Sequence, residues 1–174
     1  MKELVEKEIA RLKAKVVGDF GGAPVPEITY MELKGRIIGA AFGSRKIQVN
    51  LDAARALGQE YRSTVTHEYA HILNKWLADN RPTNKICGRD DKGHGAGWKN
   101  VMRYLGEEPE RCYDNATAHA LAAAGVMGKV YYYHCPKHPE KVYPFSQRRH
   151  NNVVRRTNSY ACPCCKTELV QVKP

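Results

Sequence analysis

HEYAHILNKW, residues 67–76, places two histidines four positions apart, with a glutamate directly after the first. On a helix, residues i and i+4 share a face, with Cβ atoms about 5–6 Å apart. His67 and His71 can therefore both aim a ring nitrogen at one Zn2+, at about 2.0–2.1 Å each. Glu68 lies one residue farther round, too far to be a comfortable third ligand but able to reach a water beside the metal. Zinc lowers the pKa of such a water towards about 7, and a carboxylate can then take its proton as general base. Two histidines on a partly buried helix face would spell the same ten letters without a metal, so the reading turns on what surrounds them.

A catalytic zinc needs a third protein ligand. The metzincin form of the motif would require glycine at 74 and histidine at 77; Asn74 and Leu77 exclude it. The remaining source is a later element. His94 fits, because in KGHGAGW its neighbouring glycines allow close backbone approach just where a helix with Trp98, Val101, Met102 and Leu105 begins. Asp90, Asp91 and Glu107 are competing donors.

The flanking chain reads as α+β. Val5, Ile9, Leu12 and Val16 follow helical spacing, which predicts an amphipathic helix over residues 2–17. After the loop GDFGGAPVP come three short runs, EITYMEL, RIIGAAF and KIQVNL, separated by Lys34-Gly35 and Gly43-Ser44. They read as a three-stranded antiparallel meander. A short helix over Asp52–Leu57 ends at Gly58, a longer one runs from Gln59 to about Ala78, and residues 115–125 form an alanine-rich helix. Gly125 and Gly128 mark a boundary, giving domains 1–128 and 129–174.

The second segment differs in charge and in cysteine content. It holds nine basic and two acidic residues, a net of +7 within a chain of net +10. Such a basic quarter on a nearly balanced body points to an anionic partner. Cys135-Pro-Lys-His138 and Cys162-Pro-Cys-Cys165 are two knuckles with x2 spacing that can close a structural zinc site of Cys3His type, a zinc ribbon. Cys164 could replace Cys162 or Cys165, and His134 and His150 are outside candidates. KVYPF, NVVRR and SYAC would supply the ribbon's strands. Arg148, Arg149, Arg155 and Arg156, with Lys137, Lys141 and Lys166, interleave with Tyr131, Tyr132, Tyr133, Tyr143, Phe145 and Tyr160. Cations neutralise phosphates and aromatic faces stack on unpaired bases, although tyrosine-rich strands also pack simply as strands.

The chain has no run near the ~20 apolar residues of a membrane span, and MKELVEKEIARLKAKVV lacks the apolar core of a signal peptide. The expected compartment is the cytoplasm, at the nucleoid, where cysteines more often bind metal than form disulfides. Cys87 and Cys112 then read as buried or free thiols.

Three motifs in order, HEYAHILN, HGAGWKNVM and a tail holding RRHNNVVRR and CPCC, resemble the SprT-like zinc metalloproteases, a family that includes bacterial SprT and the protease domain of Spartan. The resemblance runs from the strands before the first motif nearly to the C-terminus. It implies a zincin-type protease with His67, His71 and His94 on the catalytic zinc and Glu68 as catalytic base. It also implies association with DNA and, as in Spartan, proteolysis of proteins trapped on DNA. One departure is an enlarged loop between His138 and RRHN, which bears on His138 as a ligand.

These readings converge on a zincin-like domain with helices packed on a small antiparallel sheet, followed by a zinc ribbon. The expected activity is that of a zinc endopeptidase acting on DNA-associated proteins, with one catalytic and one structural zinc. RKIQVN is the expected edge strand for substrate, with Tyr104 and Tyr113 as candidate oxyanion donors. Two other classes stay open: a DNA-binding adaptor whose site does not turn over, and a cytoplasmic peptidase unrelated to nucleic acid.

Overall fold

The N-terminal apolar stripe becomes α1 (Lys2–Phe20), which buries Val5, Ile9, Leu12 and Val16. The computed structural model describes residues 1–31, 37–81, 86, 93–110 and 115–172. Within them the fold is α+β, and the packing divides the chain into two units, Met1–Cys112 and Tyr113–Pro174. No described helix is long and apolar enough to cross a membrane.

In the first unit, β1 (Glu27–Met31), β2 (Gly39–Phe42) and β3 (Lys46–Asn50) form one sheet. A turn through Gly43, with φ 58°, joins β2 and β3 as an antiparallel hairpin. β1 does not complete a meander. It pairs parallel to β3, giving the order β1-β3-β2. The antiparallel expectation is corrected here, because turn residues specify a hairpin locally whereas the edge that β1 joins is decided by long-range pairing. The correction reaches the substrate edge: RKIQVN is the central strand, and β2 is an edge among the described residues.

Asn50 closes β3 and opens α2 (Leu51–Leu57). Its side-chain oxygen accepts from the amides of Asp52 and Ala53, and its amide group donates to the Ile37 carbonyl at 2.8 Å. This buried cap fixes where the sheet hands over to helix. A 3-10 turn (Gly58–Glu60) leads into α3 (Tyr61–Asn80), whose Tyr61 hydroxyl donates to the Ile38 carbonyl at 2.6 Å. α4 (Ala96–Leu105) then packs Trp98, Val101, Met102 and Leu105 inward.

α1 and α3 are tied through one buried carboxylate. Glu8, 2% exposed, accepts from Arg11, from Arg62 at 3.0 Å and from the Thr66 hydroxyl at 3.1 Å. Burial pushes its carboxyl up, but the hydrogen bonds from Arg11, Arg62 and Thr66 and the charge of Arg11 outweigh burial and hold it below the ordinary carboxylate range. Both arginines are half-exposed and rehydrate if the carboxylate is lost. Glu8→Ala is therefore expected to lower unfolding free energy by about 2 kcal/mol in urea titrations. With a depressed pKa, the ionic contribution is present above the unfolded carboxylate's pKa and is lost as pH falls through the folded one. Glu8→Gln should flatten that acid limb.

The second unit begins with α5 (Asn115–Ala123), which the sequence had placed before the boundary at 128. β4 (Val130–Cys135) and β5 (His138–Ser146) make a hairpin, and β6 (Val170–Gln171) adds to β4 in the order β5-β4-β6. KVYPF is in β5, but its partner is the VYYYHC run. NVVRR is not a strand: α6 (Gln147–Val154) covers it up to Val154, with the Ser146 side chain accepting from the Arg149 amide as N-cap. Of SYAC, Ala161 makes an isolated bridge to Glu168. The unit's core is small: Tyr133, Cys135, Phe145, Cys162 and Leu169 form one cluster, and Ala118, Leu121 and Val126 are also buried.

Candidate metal centres

Helix α3 places His67 and His71 on one face, with ring centroids 5.1 Å apart. His94 reaches them from the turn before α4, where Gly93 has φ 49° and Gly95 stands at the N-cap. Its ring lies 4.9 Å from His67 and 4.8 Å from His71. One ring nitrogen from each of the three falls within 4.8 Å of the others. The Nε2 atoms of His67 and His94 are 2.9 Å apart, close to the about 3.3 Å that two nitrogens on one tetrahedral zinc would show.

Trp98 forms the wall behind them. It is fully buried, stacks against His71 at 5.5 Å and meets His67 and His94 edge-on at 4.7 and 4.6 Å. Its indole N–H is directed at the His67 carbonyl at 3.4 Å. Burial first, then the charges of His71 and His94, push His67 down to about 3; burial and His94 push His71 down to about 4. Neutral imidazoles with free lone pairs are what a divalent metal requires. The donor set fits a metal ion and is compatible with zinc.

Glu68, next to His67 on α3, packs into a slot against the sheet. It is 8% exposed, and burial pushes its carboxyl up to about 7 against a hydrogen bond from the Ala41 backbone. The slot exists because residue 39 is glycine: a Cβ there would stand 3.1 Å from both Glu68 Cγ and Thr64 Cγ2. Neither Gly39 nor the Trp98 wall was singled out for the site from sequence. Gly39 carries no pattern signal, and Trp98 reads simply as a core position of its helix.

The second cluster brings together Cys135, Cys162 and Cys165, with Sγ atoms within 4.8 Å. Cys135 and Cys165 are 3.5 Å apart, against about 3.8 Å for two thiolates on a tetrahedral zinc. Backbone N–H groups of Lys137 and His138 point at Cys135, and those of Cys164 and Cys165 at Cys162. The two knuckles thus present the same amide pattern to their first sulfur. The Tyr143 hydroxyl at 3.4 Å and those backbone amides pull the Cys162 thiol down to about 6. Thiolate is the form that binds metal, so this group too could hold an ion compatible with zinc.

Other candidates fall elsewhere. His138 is outside the cluster, with Nδ1 3.7 Å from a Glu140 oxygen and its side chain 37% exposed. Cys164 is exposed beside Lys141, at 3.1 Å. His150 is engaged by the Tyr133 hydroxyl at 3.0 Å and stacks on Tyr131 at 3.6 Å. Glu107 is not among the groups that could share a metal. Tyr104 is tied to α1 through Asp19 at 2.6 Å. Asp90, Asp91, Cys87, Cys112 and Tyr113 lie outside the described residues. Arg148, Arg149, Arg155 and Arg156 are all exposed, and the Arg149 guanidinium lies 5.8 Å over Phe145 and 5.7 Å over Tyr160. Tyr133 and Phe145 are core residues, so they are packed as strand side chains rather than displayed for stacking.

No protein-family model matches the chain, and no solved structure matches it. Curated sequences do. Protein SprT of Vibrio atlanticus is 32% identical over 152 residues, covering 84% of this chain and 78% of the relative. Protein SprT of Erwinia tasmaniensis is 32% identical over 151 residues, covering 84% and 76%. Protein SprT of Pseudomonas paraeruginosa is 29% identical over 150 residues, covering 84% and 81%.

Proposed function

The chain belongs to the SprT family, and from that premise we propose that it is a zinc-dependent endopeptidase acting on DNA-associated proteins, including proteins crosslinked to DNA. In this reading the first unit is a zincin-like protease domain and the second a zinc ribbon. The observation that carries it is the arrangement of Glu68: a buried carboxylate in its own slot, on the helix that presents His67 and His71 to His94. A module that only binds would have no use for a carboxylate kept dry beside a three-imidazole group, and this favours the enzyme over the adaptor.

A zinc ion held by His67, His71 and His94 would supply Lewis acidity, making water acidic enough to ionise near neutral pH and polarising a carbonyl. Glu68 takes the proton as the water oxygen attacks the scissile carbonyl carbon. It delivers that proton to the amide nitrogen as the C–N bond breaks. Trp98 keeps the imidazoles in register and excludes solvent behind them. The substrate edge is β2 instead of RKIQVN, because β3 has partners on both sides. β2 carries the half-exposed Phe42 and follows the exposed Ile37, which suits an extended segment added by strand pairing.

For the second unit, Cys135, Cys162 and Cys165 would hold the structural zinc. His138 is proposed as the fourth ligand because it pairs with Cys135 in the hairpin register. The net +7 of residues 129–174 and the exposed arginines on and after α6 support phosphate contact.

The test is to incubate the purified chain, loaded with zinc, with a DNA-binding protein in the presence or absence of single- or double-stranded DNA. Metal-dependent cleavage that DNA stimulates is the expected result. Equal cleavage without DNA would support the nucleic-acid-independent peptidase, and no cleavage under any condition would sink the protease reading.

A further inference from the structure

β2 meets α3 through its smallest residues. Gly39 pairs with Val49 and Ala41 with Ile47. Residues directly opposite on an antiparallel pair share a face, and Val49 and Ile47 are buried, so Gly39 and Ala41 face the core with them. There the Ala41 amide donates to the Glu68 carboxylate. A Cβ on Gly39 would stand 3.1 Å from both Glu68 Cγ and Thr64 Cγ2, with the Gln48 carbonyl at an ordinary 3.5 Å. Two residues of one strand thus bear on one side chain, Ala41 by a hydrogen bond and Gly39 by closeness.

Backbone conformation does not call for glycine at 39. Gly43 in the adjoining turn has φ 58°, whereas Gly39 lies in the strand and outside the positive-φ set. Glycine weakens a strand interior, and its use there marks a close approach by another group. What an added methyl would displace is decided by stiffness. Thr64 is β-branched, sits on a helix and is only 2% exposed, so its rotamer is confined. The longer Glu68 side chain can turn about its own bonds. The displacement therefore lands on the carboxylate.

We infer that Gly39 and Thr64 are positioning residues for the general base. The bare Cα of Gly39 sets how closely Glu68 seats against β2, Thr64 is the fixed wall beside it, and together they hold the carboxylate on the water it deprotonates. This rests on the protease reading of the site. It predicts a loss of rate and not of binding. A methyl at 39 would point at α3, not along the strand edge that takes the substrate, and its three nearest atoms belong to Glu68, Thr64 and Gln48.

The test uses the full, zinc-loaded chain with Gly39→Ala, Thr64→Ser and the double variant. Gly43→Ala is the control for strain in the same hairpin, because its φ disfavours a side chain while its surroundings among the described residues are open. Zinc content, melting temperature, kcat and KM are measured on each, and the Ala41 amide proton is followed by NMR. Gly39→Ala should keep its zinc and its KM and lose about 10- to 100-fold in kcat, the scale of a misplaced catalytic group. Its Ala41 resonance should move in the direction that Glu68→Ala moves it. Thr64→Ser adds no atom and only removes the wall, so it should lose about 3- to 10-fold in kcat. In the double variant the methyl gains room, and kcat should exceed that of Gly39→Ala by about tenfold, a coupling that independent sites do not show. Gly43→Ala should melt lower with kcat near wild type. Wild-type kcat in Gly39→Ala or in Thr64→Ser overturns the inference alone. So does an equal loss of kcat in Gly43→Ala, or a double variant no better than Gly39→Ala, because the contact would then serve only the fold. If the wild type cleaves nothing, the protease reading falls and takes the inference with it.

Discussion

Glu68→Gln is expected to lower the rate of peptide cleavage by about 100- to 10,000-fold, the range for loss of a general base, while leaving bound zinc unchanged. Glutamine is nearly isosteric and keeps an oxygen for the Ala41 amide, so the slot above Gly39 stays filled. It loses the ability to accept a proton. A stability signature should accompany the rate loss. Burial raises the carboxyl to about 7 in the folded chain, so between about 4.3 and that value the folded state holds a proton that the unfolded state has released. His67 and His71, neutral in the folded metal-free chain but protonated when unfolded, make stability rise with pH over part of this window in both proteins. The effect of Glu68 is therefore read as the difference: relative to the glutamine variant, the metal-free wild type should lose stability as pH rises through the window. Retained cleavage in the variant, with metal still bound, would mean that Glu68 is not the base. Loss of zinc together with activity would mean that Glu68 serves the metal site instead.

The parts of this site that could be read from sequence are the local ones. His67, His71 and Glu68 are fixed by one helix and its period, and His94 by a glycine-flanked turn before an apolar helix. What could not be read depends on contacts far apart in sequence. β1 could join either side of the β2–β3 hairpin, and its parallel seat beside β3 is what leaves β2 at an edge of the sheet among the described residues. The glycine that admits Glu68 comes from that same strand. In the second unit, NVVRR looked like a strand because its valines are β-branched. Ser146 caps a helix there instead, Gln147 Nε2 donates to Asn151 one turn on at 2.8 Å, and Val153 packs against the unit's core. The strand that the hairpin needed was the tyrosine run, whose alternation buries Tyr133 and Cys135 on one face.

Removing metal should have its largest effect on the second unit. Two of the five residues in its cysteine-bearing core cluster belong to the candidate site, beside Tyr133, Phe145 and Leu169, and the unit's other buried apolar residues among those described are Ala118, Leu121 and Val126. So small a core does not outweigh the chain entropy of about sixty residues, whereas a structural zinc contributes on the order of 10 kcal/mol. The first unit has Leu12, Tyr61, Tyr69, Leu73 and Trp98 buried without any metal. A strong chelator is therefore expected to abolish amide exchange protection in β4 and β5 while the amides of α3 remain protected. Cys162→Ser should reproduce that pattern and reduce zinc from two ions per chain to one. Cys164→Ser should do neither, because that thiol is exposed and stands against Lys141 instead of in the cluster. Zinc retention in His138→Ala would leave the three cysteines to hold the ion with a ligand from outside the hairpin. If β4 and β5 stay protected in the metal-free chain, the unit is held by its aromatic packing, and the cysteines are then free to serve a purpose other than structure.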